Sequence, residues 1–335
     1  MPTFETATVT EVLAERPGLQ RVGTSLGRAY ALTDLVGPVA VGDRVVLNTT
    51  AVGLGLGTGG WHVVHWNLAR DRFDGPSGGH IMKLRYSSLQ ADVGAAEEAH
   101  PDVPADLRGV PVVACTLHSQ VPIVAAALLA ERPDARVAYV MTDGAALPMA
   151  LSDLVVSMRG AGLVHTTLTA GHAFGGDLEA VSVPSALALA VHVAGADAVV
   201  VGMGPGVVGT GSGLGTTAVE AAAVLDATAA LGGRPVCCVR ASAADPRERH
   251  RGVSHHVTTV LDLTRSRVEV ATVPGAPLAR DDHEVVVVDP VGVAGLLADR
   301  GLRVTSMGRG PEDDPLFHDA AGAAGTVAGR SAARR

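Results

Sequence analysis

Residues 201–217, VGMGPGVVGTGSGLGTT, decide how the chain is read. The apolar run 197–201 leads into them and an alanine-rich segment follows, so glycine carries the backbone from a buried strand into a helix. Strand, glycine turn and helix in that order form the repeating step of an α/β sheet. A backbone without side chains can approach a ligand closely. Thr217 and Glu220 have the spacing of a capping box, so the start of the helix is expected to offer free N–H groups and a positive dipole end to an anion.

Outward from this stretch, apolar runs at 112–115, 137–141, 165–168, 198–203, 236–239, 284–288 and 303–305 read as strands. Helical patterns at 120–129, 148–158, 184–194, 217–231, 254–264 and 291–298 alternate with them. Continuous apolar strands separated by helices predict a mainly parallel, Rossmann-like α/β sheet with helices on both faces. Residues 1–69 instead show short strands joined by polar and glycine turns, the pattern of a small N-terminal β barrel of the OB or SH3-like kind. RDRFDGPSGG at 70–79 reads as a linker, 80–319 as the α/β domain, and the Ala-, Gly- and Arg-rich residues 320–335 as a flexible tail.

With 335 residues, 47% of them hydrophobic, the chain can bury a large core across two domains. Its net charge of -8 argues against nucleic acid or an anionic membrane surface as the main partner, and the barrel lacks an evident basic and aromatic surface. Cys115, Cys237 and Cys238 form neither a disulfide framework nor a CxxC pair. Without a signal-like start or a run of about 20 apolar residues, a cytoplasmic location is expected. Lys83 is the only lysine among 26 basic residues, and it sits beside His80 and Arg85 as either a cationic arm or part of an ordinary strand.

In open parallel sheets, ligands sit outside the carboxyl ends of the strands. The loops there carry His118, Asp143, His172 and Asp177, the glycine stretch, and the DPRERHRGVSHH run at 245–256. For a small anionic ligand, the candidate binding residues are Gly204, Gly206, Gly209, Thr210, Gly211, Thr216, Thr217, Arg247 and Arg251. His118, His172 and His255 are the candidate acid/base groups, with Lys83 as a further cation. A metal is also open, with Asp143, His172, Asp177 and His250 as candidate ligands, although no compact ligand spacing marks one. His255 and His256, adjacent on a helix, should project about 100° apart and so not share an ion. The glycine phrase follows a late strand, and Val239 and Arg240 occupy the place of a ribose-binding acid, so NAD is not expected. GRGPEDD at 308–314 either closes the site or forms an exposed loop.

GGHIMKLRY at 78–86, CTLHSQ at 115–120, AGHAFGGDLEAV at 170–181, GMGPGVVGTG at 202–211 and HRGVSHH at 250–256 together resemble a bacterial family catalogued as domain of unknown function 3866. The resemblance implies a bacterial protein and supplies no activity. The residues themselves favour an enzyme acting on a small anionic metabolite, phosphorylated ones included, through histidine chemistry. The alternative is a metabolite-sensing module or an oligomeric scaffold, with Ala- and Val-rich helices such as 184–194 packing between subunits of a homo-oligomer.

Overall fold

The computed structural model describes residues 1–332. Five strands, β1 (Phe4–Arg16), β2 (Leu19–Thr24), β3 (Gly27–Ala31), β4 (Arg44–Asn48) and β5 (His62–Asn67), close into a barrel in the order β1-β2-β3-β5-β4. β1 can pair with both β2 and β4 because its register shifts at Val9/Glu11 and again at Val12/Ala14, and each bulge bends the strand. Small side chains fill the interior, including Ala7, Val22, Ala29, Ala31, Val45 and Val64, as a narrow barrel requires. His62 is buried with Nε2 on the Leu26 carbonyl at 3.2 Å, and His65 packs edge-on against Phe4, so both serve the barrel. Tyr30 and Trp61 stack at 4.8 Å with the Arg28 guanidinium 4.6 Å from the Trp61 ring, so the barrel does carry a basic and aromatic patch.

The chain divides into compact units at Met1–Gly94 and Ala95–Arg335, not at the expected linker. Residues 80–86 therefore belong with the barrel unit, where β6 (Ile81–Lys83) and β7 (Ala91–Val93) form an antiparallel hairpin. Lys83 is buried in that unit at 2% exposure.

The second unit is built on an eight-stranded parallel sheet. Its strands are β8 (Pro111–Ala114), β9 (Val137–Thr142), β10 (Thr166–Thr169), β11 (Leu178–Glu179), β12 (Ala198–Met203), β13 (Arg234–Cys238), β16 (Glu269–Thr272) and β17 (Glu284–Val287). Between β13 and β16, β14 (Ala241–Ser242) and β15 (Gly252–Val253) pair as a separate short ribbon. The sheet order is β11-β10-β9-β12-β8-β13-β16-β17. Six of the seven expected strands form. Residues 303–305 do not, although Val304 is buried, because apolar character alone cannot distinguish a strand from a packed loop. β8, β9 and β12 are buried along their whole length, which explains their unbroken Val-, Ala- and Met-rich sequences.

The order has one functional consequence. From β8 the chain leaves through the helix Gln120–Glu131 toward β9, whereas from β13 it leaves through the helix His255–Leu263 in the opposite direction, to β16. Neighbouring strands whose connections diverge leave a crevice at their carboxyl ends, where ligands bind in such sheets.

The expected flexible tail is instead a helix, Pro315–Ser331, whose residues Ala320–Gly329 are all buried. Its glycines permit this: a Cβ at Gly325 would lie 2.2 Å from the Val124 carbonyl and one at Gly329 2.8 Å from that of Leu128. The Ala/Gly composition thus marks close packing against the helix Gln120–Glu131, whose backbone it approaches. Residues 333–335, the last of the expected tail, lie outside the described residues.

Candidate functional site

Three loops meet over the crevice between β8 and β13. Leu117 comes from the loop after β8, Val207 to Gly211 from the glycine stretch after β12, and Arg240 to His256 from the segment after β13. Together with Met307 they line a cleft of about 120 Å³.

Asp245 organises its charged wall. It is fully buried and accepts two bonds from Arg247, at 2.9 Å each, and one from Arg309 at 3.1 Å; the Arg240 guanidinium stands 3.7 Å away. The Arg247 bonds hold its carboxyl far below the usual range. Asp314 accepts from the Ser242 hydroxyl, from the Ala243 N–H at 3.0 Å and from Arg309 at 3.4 Å. The 308–314 segment thereby joins the site, through Arg309, Asp314 and the neighbouring Met307. Arg249 is exposed and faces Gly211, where an ideal Cβ would sit 3.5 Å from its guanidinium carbon. Four arginines against two aspartates leave the cleft with excess positive charge.

Histidines form the floor. His250 and His256 are 1% and 4% exposed, and the rings of His250, His255 and His256 approach within 4.4 to 5.0 Å of one another. The expected divergence of His255 and His256 is therefore corrected. Both stand in the first turn after the Ser254 cap, and both rings lie within 5.0 Å of the His250 ring. Ser254 Oγ also lies 2.7 Å from His250 Nδ1. Burial first, then the nearby arginines, lowers all three imidazoles, His250 to about 3 and His256 to about 4. They are neutral at pH 7.

The glycine stretch does not open directly onto the start of the helix. The helix begins at Glu220 behind a 3-10 turn, Thr217–Val219, capped by the Thr216 hydroxyl, so the expected Thr217/Glu220 capping box is absent. Thr217 Oγ1 accepts from the Val208 N–H at 3.1 Å, and Thr210 binds Ser212 and Gly215, so these hydroxyls build the loop itself. Gly204 is required beneath Ala146, whose carbonyl would lie 2.2 Å from a Cβ there, and exposed Gly206 has a φ of 101°. Gly209 faces His256, 3.5 Å from where its Cβ would be. Arg251 is exposed and does not line the cleft.

A second cluster lies beyond β12, at the end of β9. Thr142 donates to Glu220, which also receives the Gly144 N–H, and Asp143 accepts from the His172 N–H at 3.0 Å. Burial, with the Asp143 charge adding to it, raises the Glu220 carboxyl to about 7. Sequence reasoning assigned Glu220 to a cap and missed this; an acidic residue at the start of a helix facing a strand-end Asp was the available signal. His118 connects the two regions. Its Nδ1 donates to the Met203 carbonyl at 3.0 Å and its Nε2 accepts from Ser152 at 2.7 Å, while burial lowers it to about 4. With both nitrogens occupied, it bolts β12 to the segment after β9. Asp177 is bound by Arg159 at 2.8 Å and by Thr167 at 2.9 Å, a structural network on the outer strands. The proposed metal ligands Asp143, His172, Asp177 and His250 therefore do not converge: His250 stands with the other imidazoles, and Asp177 is used by Arg159. Cys115, Cys237 and Cys238 are buried thiols, with burial raising Cys237 to about 12.

Among the described residues no helix is long and apolar enough to cross a membrane. No curated protein and no solved structure matches the chain. One family model does, over residues 28–325, from the third strand of the barrel almost to the end of the last helix, and the chain therefore belongs to the family described as protein of unknown function DUF3866.

Proposed function

We propose that the α/β unit binds a small anionic metabolite by its phosphate or carboxylate group, as an enzyme acting on it. The observation that carries this reading is the uncompensated arginine charge over a cleft at the point where the strand connections diverge. Arg240, Arg247 and Arg309 are tied to Asp245 and therefore fixed in place, as a preorganised anion site requires. Arg249 is the exposed cation that closes over the ligand from the loop side. The space suits a single anionic group, so the rest of the metabolite lies outside it. His250 and His256, which line the cleft, stand as neutral imidazoles beside the bound group.

Equilibrium dialysis of the full chain against labelled inorganic phosphate tests the reading. Saturable binding is expected, weakened about tenfold or more by Arg249→Ala, in keeping with the loss of a charge-assisted hydrogen bond worth ~1.5–3 kcal/mol. Absence of saturable binding to phosphate and to small carboxylates alike would refute it.

A further inference from the structure

Arginines explain the rim of the cleft, but they do not explain three imidazoles beneath it. One ring nitrogen from each of His250, His255 and His256 lies within 4.8 Å of the other two. Neutral imidazole is a ligand of late first-row divalent metals, and three of them leaving one position open is the donor set of a catalytic rather than a closed structural site. We propose that His250, His255 and His256 hold a divalent cation of the zinc or cobalt class, with its open position facing the anion gathered by Arg247 and Arg249.

The individual contacts fit this role. His255 Nε2 is buried without a hydrogen-bond partner, a costly state that coordination relieves. His250 is gripped at Nδ1 by Ser254, which leaves Nε2 for a ligand and fixes the ring, the outer-bond pattern of metal-binding histidines. His256 has Nδ1 3.4 Å from an Arg240 nitrogen and Nε2 toward Gly209. Coordination through Nε2 places the proton on Nδ1, so this long contact opens on binding. Metal–nitrogen bonds of ~2.0–2.1 Å put tetrahedral ligand atoms roughly 3.4 Å apart, within reach of small ring rotations from the present spacing.

Electrostatics adds a condition. Positive charge on Arg240, Arg247, Arg249 and Arg309 opposes a bare dication, so cation and anion are expected to bind together. The ion would act as a Lewis acid on an oxygen of the bound anion. Only this coupling rests on the anion reading; the histidine set stands apart from it.

Visible absorption of Co(II) tests the proposal on the full chain stripped with chelator, in the presence and absence of inorganic phosphate. The expected result is saturable, intense ligand-field bands at equimolar cobalt, with affinity raised about tenfold by phosphate. His255→Ala should abolish the bands and weaken binding about 10–100-fold. His255→Gln provides the same loss with less disturbance, and thermal melting without metal checks that each variant folds. Arg249→Ala should keep the bands and lose the phosphate effect. Lack of saturable bands in the wild-type chain, or binding unchanged in both folded His255 variants, overturns the site. If cobalt binds but phosphate leaves its affinity unaltered, the coupling is overturned. Phosphate retention in dialysis without any cobalt bands would leave the anion reading standing and remove the metal.

Discussion

Replacing Glu220 with glutamine should stabilise the protein at alkaline pH and do little at pH 4. The wild-type carboxyl is half-buried against Thr142 and Gly144 with the Asp143 charge beside it, and its midpoint rises from 4.5 to about 7. At ~1.36 kcal/mol for each tenfold step, this is a preference of about 3 kcal/mol for the neutral form, trimmed to about 2 kcal/mol by partial exposure. Because the folded-state midpoint is raised, the folded protein binds more protons than the unfolded chain between pH 4.5 and 7, and stability falls as pH climbs through that window. Glutamine keeps an oxygen to accept from Thr142 and cannot ionise, so the variant lacks this slope. Urea denaturation of both proteins at half-unit intervals from pH 4 to 8 measures the difference. Parallel stability profiles across the window would refute the burial argument for Glu220.

Two further substitutions test the packing and the charge wall. Gly325→Ala gains up to ~1 kcal/mol of helix propensity, yet its Cβ would press into the Val124 carbonyl and the Ala127 side chain. Displacing backbone should cost about 1–3 kcal/mol, so net destabilisation is expected in thermal or denaturant melts, and a more stable variant would show that the helix Pro315–Ser331 packs less closely. Asp245→Asn leaves Arg240, Arg247 and Arg309 facing one another without their shared carboxylate, and removing one partner of a buried ion group costs about 3–5 kcal/mol. Denaturant unfolding at neutral pH measures it. Since the carboxyl is depressed, the stabilisation should be complete above the unfolded midpoint of 3.8 and be lost progressively as pH falls below it.

The sheet was legible because β8, β9 and β12 are buried on both faces and their sequences are unbroken apolar runs. The final helix was not, since glycine signals a loop when read alone and close packing when a second helix backbone lies against it, as at Gly325. The 245–256 run announced a site by its arginines and histidines. What it could not disclose was the partnership of Asp245 with Arg309, 64 residues away, which turns three flexible cations into a fixed wall. Nor could spacing alone bring His255 and His256 together, because the period of a helix fixes the direction of Cβ and not the rotamers that carry the rings. Thr217 and Glu220 matched a capping box in spacing only; the stronger attraction was the Thr142 hydroxyl and Gly144 N–H at the end of β9.

The glycine loop divides two unlike environments, and this restricts how they can cooperate. Asp143 and Glu220 stand at the end of β9, and the arginines and imidazoles stand beyond β13, with β12 and β8 between. At ~4.8 Å per strand, three spacings put the ends of β9 and β13 roughly 14 Å apart. Glu220 does not line the arginine cleft. For that carboxyl to take part in chemistry with a ligand held by the arginines, the ligand would have to extend past the glycine loop toward the end of β9. Gly204 and Gly209 are the positions that hold the loop at this height, one under the Ala146 carbonyl and the other over His256. A side chain at Gly204 would force the loop away from Ala146, disturbing the acid side first, whereas one at Gly209 would enter the space above the imidazoles. The two glycines thus act at opposite ends of the loop, Gly204 against the segment after β9 and Gly209 against the imidazoles.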